Sequence, residues 1–165
     1  MVRFMRSPVV VWGTKFVKGY NGGAVTPDLQ RHPVMDLADA LFEDFDTDAH
    51  FVPYSVVDAE GTALNPCPRV NKTGLADLES DGYSIQFNAA VIDVDCPSAD
   101  KSAQGQASSA WRSDQRAALD KVPVKLTEGM ARYDTKGGYR LAWRLSKPLS
   151  AEKYLTTIAA IRAEL

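Results

Sequence analysis

Val9, Val10 and Val11 with Trp12 form a short apolar run that predicts a first strand, broken by "KGYNGG" over residues 18–23. From Val34 the period changes. Val34, Leu37, Ala38, Leu41, Phe42 and Phe45 fall at i, i+3, i+4, i+7, i+8 and i+11, the stripe of an amphipathic helix. "HFVPYSVV", from His50, reads as another strand, and Pro53, which has no N–H for a ladder, predicts that it lies at a sheet edge. Residues 58–82 are rich in Gly, Asn, Pro and Asp and read as a long connection. The most hydrophobic strand follows, ending in "FNAAVIDVDCP" from Phe87 to Pro97. Beyond it "SADKSAQGQASS" is polar, and the pattern predicts a helix from Trp111 to Lys121. "GMARYDTKGGYRLAWRL" then predicts a hairpin: a strand ending at Tyr133 or Asp134, a turn over Thr135 to Gly138, and a return strand from Tyr139 to Leu145. Pro148, Ser150 as N-cap and Glu152 announce a last helix, carried on by Tyr154, Leu155, Ile158, Ile161 and Leu165. The whole reads as one α+β domain over residues 1–165.

Composition narrows the class. Hydrophobic residues make up 45% and charged residues 24% of the 165, a globular rather than a disordered mixture. No apolar run approaches the roughly 20 residues of a membrane helix, so no membrane partner is expected. Cys67 and Cys96 form no CxxC pair, which argues against a zinc knuckle or a disulfide scaffold, and a cytoplasmic setting is the expectation. Charge changes the picture more. Residues 1–100 hold 7 Lys/Arg against 15 Asp/Glu, a net of −8, while residues 101–165 hold 12 against 6, a net of +6. The acidic part contains the possible metal ligands, and the basic part could attract phosphate. Much of the acidity lies in "EDFDTD" (43–48), which reads as a solvated helix end.

Two constellations carry chemistry. A strand alternates faces with period two, so Asp93 and Asp95 project together while Ile92 and Val94 point away. Two carboxylates aimed the same way repel unless a cation sits between them, though a strand end fraying into water would explain the pair equally well. In the return strand of the hairpin, Tyr139, Leu141, Trp143 and Leu145 share an apolar face, and Arg140, Ala142 and Arg144 share the other. The two guanidinium groups read as about 7 Å apart at ~3.4 Å of rise per residue. With Thr135, Lys136, Gly137 and Gly138 in the turn, they make a plausible polyphosphate cradle. A surface strand with solvated arginines is the alternative.

The motif "AVIDVDCP", followed downstream by "TKGGYRLAWRLSKPLS", resembles the archaeo-eukaryotic primase superfamily, and within it the primase-polymerase domains of phages, plasmids and mobile elements. The resemblance covers roughly residues 85–150. It implies an RRM-like catalytic sheet, mixed or antiparallel, flanked by helices. It further implies Asp93 and Asp95 as ligands of catalytic Mg²⁺ or Mn²⁺, and Arg140 as a catalytic-site residue where the family's second motif usually has His. Thr135, Lys136, Gly137, Gly138, Arg140 and Arg144 would bind the nucleotide. Arg69 and Lys72 in "PRVNKTG" are weaker candidates for the template backbone, and a solvated loop is the more ordinary reading of them. The activity implied is DNA primase/polymerase nucleotidyl transfer in replication, with NTP or dNTP and a single-stranded DNA template as partners and a fused or associated helicase. The family's third acidic motif has no match, since only Glu152 and Glu164 follow Asp134 as acids. The chain is therefore expected to be the N-terminal part of a longer protein and not to polymerise alone. The rival readings are a nucleotide-sugar transferase with an Asp-x-Asp metal site, a haloacid-dehalogenase-type phosphatase, and a non-catalytic nucleic-acid-binding module.

Overall fold

The structure is a computed structural model, and it describes residues 8–12, 34–42, 50–65, 67–68, 70, 72–97, 107–135 and 137–165. Two compact units emerge. The first comprises Met1–Ala89 with Leu145–Lys153, and the second Ala90–Arg144 with Tyr154–Leu165.

In the first unit, β1 (Pro8–Trp12) runs antiparallel between β2 (Val34–Asp36) and β3 (His50–Val52). The helix expected from Val34 begins later, as α1 (Leu37–Phe42). Val34 to Asp36 instead pair with β1, and the Asp36 carboxylate accepts the Ala38 N–H at 3.0 Å, an N-terminal cap that ends the extended backbone. Phe45, the last position of the expected stripe, lies outside the described residues, as do residues 18–23 and 43–48. Pro53 divides its run into two strands, β3 and β4 (Tyr54–Val57), each at the edge of a different sheet. Its carbonyl accepts the N–H groups of Asn88 (2.7 Å) and Ala89 (3.3 Å).

The stretch read as a long connection contains a helix, α2 (Lys72–Ser80). Only Leu75 and Leu78 supply its apolar stripe, and Gly74 within it dilutes the pattern further. A Schellman motif ends it. Gly82 at φ 84° lets its own N–H reach Glu79 O and the Tyr83 N–H reach Leu78 O. Val52, Tyr54, Val56, Cys67, Leu78 and Ile85 form the buried core here. Burial pushes the Cys67 thiol up to about 11, against a smaller opposing hydrogen bond with the Val56 backbone, so it stays protonated as a packing group.

β5 (Ser84–Asp95) pairs antiparallel with β4 over Ser84–Phe87 and continues through Ala90 into the second unit. There follow α3 (Ser109–Leu119), α4 (Val124–Thr127), β6 (Met130–Asp134), β7 (Gly138–Ser150) and α5 (Ala151–Glu164). The strand order β4-β5-β7-β6 makes a four-stranded antiparallel sheet, so the class is mixed α+β. The helix expected over Trp111–Lys121 starts two residues earlier, because the Ser108 hydroxyl caps it by accepting the Trp111 N–H at 3.2 Å. The hairpin forms with Tyr133 opposite Arg140 and Asp134 opposite Tyr139. Its return strand runs five residues past Leu145 and through Pro148; β6 pairs with it only as far as Trp143, so no ladder bond to β6 is lost at the proline. Among the described residues no helix is long and apolar enough to cross a membrane.

On the edge of β5, Val91 is served by a side chain rather than a strand. The Tyr154 hydroxyl accepts the Val91 N–H and donates to the Val91 carbonyl, both at 3.3 Å. Burial holds the Tyr154 phenol above its ordinary range, against the Val91 bond. Tyr154→Phe removes this bond with little change of shape and is expected to lower stability by about 1 kcal/mol, measurable by urea unfolding.

Candidate functional site

The second half of β5 changes character at its end. Ala89, Ala90 and Ile92 are buried, whereas Asp93 and Asp95 are exposed. Cys96 at the strand's end donates its N–H to Gly137 O at 2.9 Å, which sets this end of β5 beside the start of β7. Ile92, Asp93 and Val94 line a cavity of about 340 Å³ together with Tyr139, Leu141, and Ala118 and Leu119 of α3. The Asp93 carboxylate meets the other face of the sheet. There Arg140 donates from Nη2 to Asp93 Oδ2 at 3.1 Å, bringing the two constellations together across 47 residues of sequence.

Tyr133 joins them from β6, directly across the ladder from Arg140. Burial raises the Tyr133 phenol above its ordinary range, partly offset by the Arg140 guanidinium on the same face. Burial alone would lower Arg140, but the Tyr133 phenol and the Asp93 carboxylate beside it outweigh this and hold it above its usual value. Arg140 is therefore a fixed cation at every working pH, and it cannot serve as a base.

The turn is built for close packing. Thr135 N–H donates to Gly138 O at 3.0 Å, and Gly138 N–H to Thr135 O at 3.4 Å. A Cβ on Gly138 would lie 1.9 Å from Val94 O and 3.0 Å from Asp95 Cα, so only glycine lets β7 start this close to β5. At Gly137 the nearest atom to a Cβ would be Asp95 Oδ1 at 4.0 Å, which places that carboxylate beside the turn.

A residue not foreseen from the sequence holds this turn. Arg112 of α3 donates from Nη1 to Gly138 O and from Nη2 to Thr135 O (2.6 Å), and it pairs with Asp134 at 3.3 Å. Arg116 at 3.2 Å and Arg132 at 3.6 Å also reach Asp134. The Arg132 guanidinium lies 4.2 Å above the Tyr139 ring, whose hydroxyl donates to Gln115 at 3.2 Å. The signal in the sequence was the i, i+4 pair Arg112 and Arg116 on one helix face. Their target, some 20 residues on, had no pattern to announce it.

Asp134 stands opposite Tyr139, one residue out of step with the Tyr133–Arg140 pair. Its side chain therefore lies on the opposite face from Arg140 and Asp93, which removes the hairpin's acid from the carboxylate pair. The spacing of the arginines also needs correcting. Arg140 and Arg144 are four residues apart, roughly 14 Å along a strand rather than 7 Å, so they would reach the two ends of an extended polyphosphate and not a single phosphate. Lys136 and Arg69 lie outside the described residues, and Lys72 opens α2 in the first unit. The donor set at Asp93 and Asp95, hard carboxylate oxygens, suits Mg²⁺ or Mn²⁺. Among the described residues no group of three or more His, Cys, Asp or Glu is arranged to hold a metal. Searches of protein-family models, curated proteins and solved structures find no match to this chain.

Proposed function

We propose that this chain carries a metal-dependent nucleotidyl-transfer site of the primase-polymerase kind, taking an NTP or dNTP and a single-stranded DNA template. The observation that carries the reading is the meeting of Asp93, at the end of a central strand, with Arg140, the cation assigned to phosphate. An RRM-like sheet is part of the reading. The chain order β5, α3, α4, β6, β7, α5 with the spatial order β5-β7-β6 supports it, because a β-α-β-β-α-β unit places its first three strands that way. Helix α4 is a four-residue addition after the first helix. A cytoplasmic setting and a fused or associated helicase belong to the same proposal.

In this reading Asp93 and Asp95 hold Mg²⁺ or Mn²⁺. When bound, the ions would activate a 3′-hydroxyl and stabilise the leaving pyrophosphate. Arg140 supplies a forked donor for phosphate oxygens, and Arg144 a second, more distant cation. Thr135, Gly137 and Gly138 lie in the turn beside Asp95, where a polyphosphate would approach backbone rather than side chains, and Lys136 is assigned to the same phosphates. Arg69 and Lys72 are assigned to the template backbone.

A second reading, a nucleotide- or nucleic-acid-binding module without turnover, is favoured by one observation: Asp93 is already neutralised by Arg140. Three assays separate the readings. Mn²⁺ titration should show binding in the wild type and at least about tenfold weaker binding in the Asp93→Asn/Asp95→Asn double variant, as expected when charged donors are lost. Equal affinities would reject the metal site. Thermal stabilisation by NTP but not by a nucleotide sugar separates this reading from the sugar transferase. Templated dinucleotide synthesis by this chain, lost on Asp93→Ala, would mark it as an enzyme rather than a binding module and would overturn the expectation that it does not polymerise alone.

A further inference from the structure

Arg140 cannot serve Asp93 and a phosphate with the same donor at the same time. Its Nη2 is 3.1 Å from Asp93 Oδ2, so a guanidinium N–H occupies a lone pair that a cation would use. Its positive charge also sits where a divalent ion bound to Asp93 would feel it most strongly. Both side chains keep partial access to water, at 33% and 49% exposure, so the pair can part without leaving a buried charge unpaired. Tyr133 stands directly across the ladder from Arg140, so its phenol lines the same face of the sheet as the guanidinium.

From this geometry we infer that Arg140 is the resident counter-ion of Asp93 and exchanges with a divalent cation there, which frees its donors for a polyphosphate. The inference rests on the nucleotidyl-transfer reading and adds an order of events to it. Cation binding at Asp93 displaces the guanidinium, and polyphosphate then captures it. Metal and polyphosphate are thereby coupled through Arg140, each favouring the other, in addition to any direct contact between them.

The inference has a signature of opposite signs. Removing the charge but keeping the size, Arg140→Gln, should tighten Mn²⁺ binding in the absence of nucleotide by about two- to fivefold, the scale of a partly exposed ion pair. The same variant should weaken binding of inorganic triphosphate, at saturating Mg²⁺, by about tenfold or more. An arginine that only bound phosphate would leave Mn²⁺ affinity alone, and one that only braced the sheet would weaken both ligands. Arg144→Gln, which removes an equal charge four residues along the same strand, should change Mn²⁺ affinity by less than about twofold because solvent screens it.

The measurement is Mn²⁺ titration followed by electron paramagnetic resonance, with thermal unfolding of each variant to establish that it is folded. A second observable needs no variant: the Arg140 side-chain N–H resonance of the wild type should shift as Mg²⁺ is added. If Arg140→Gln binds Mn²⁺ no tighter than wild type while Asp93→Asn abolishes binding, the counter-ion inference falls and the metal site stands. An Arg140 resonance unmoved at saturating Mg²⁺ overturns it as well. Should neither wild type nor Arg140→Gln bind Mn²⁺, the inference and the metal-dependent reading fall together.

Discussion

Gly138→Ala is expected to destabilise the protein by about 2–3 kcal/mol, the upper range for overpacking a tight contact, and to lower Tm by roughly 5–10 °C. The added methyl would meet Val94 O at 1.9 Å, with Val94 C at 2.9 Å and Asp95 Cα at 3.0 Å. All three are backbone atoms of a central strand, which cannot rotate aside as a flexible side chain would. Relief requires β7 to move away from β5 at its first residue, next to Asp95. The neighbouring Gly137→Ala is the control. Its Cβ would approach nothing closer than 4.0 Å, and losing a glycine restricts the unfolded chain. That change is expected to be neutral or stabilising by up to about 1 kcal/mol. Thermal unfolding of the two variants decides the matter, and equal stabilities would show that the close approach at Gly138 is not what requires glycine.

Arg112→Met carries the second large effect, about 2–3 kcal/mol, from the loss of charge-assisted bonds to two carbonyls. The side chain is mostly buried, at 18% exposure, so water cannot readily replace it at Gly138 O and Thr135 O. Asp134 keeps Arg116 and Arg132, and so the ion pair itself contributes little to the loss. Arg112→Lys should recover less than half, because an ammonium has no planar fork to reach both carbonyls. The local reporter is the Thr135 amide, whose bond to Gly138 O closes the turn. Its hydrogen exchange should accelerate in Arg112→Met by more than the global loss of stability accounts for. Unchanged exchange would mean that the turn holds its shape without the clamp.

Much of the second unit was legible residue by residue. Alternation in "YRLAWR" placed Tyr139 and Leu141 inside and left Arg140 and Arg144 more accessible, as found. Trp143 and Leu145, expected on the inner face, are only half-buried, whereas Ala142, on the arginine face, is buried. Period two likewise put Asp93 and Asp95 together on the exposed side, and Ser150 opened α5. Helix α2 was missed because two leucines in nine residues make a weak stripe, and its burial comes from strands distant in sequence. The start of α1 was misplaced for a related reason. A helical spacing from Val34 is real, but pairing with β1 and the Asp36 cap override it locally.

What the sequence determined by itself was therefore which side of each strand its residues take, because that depends on backbone geometry repeating every two residues. What only the tertiary structure decided was which sides meet. The hairpin turn sets a register that leaves Asp134 opposite Tyr139, on the other side of the sheet from Arg140, but which strand lies beside the hairpin is not set locally. The contact of Arg140 with Asp93 and the grip of Arg112 on the turn join residues 23 to 47 positions apart. Such contacts follow from strand order and helix placement, which arise from the packing of the whole unit rather than from any short stretch of chain.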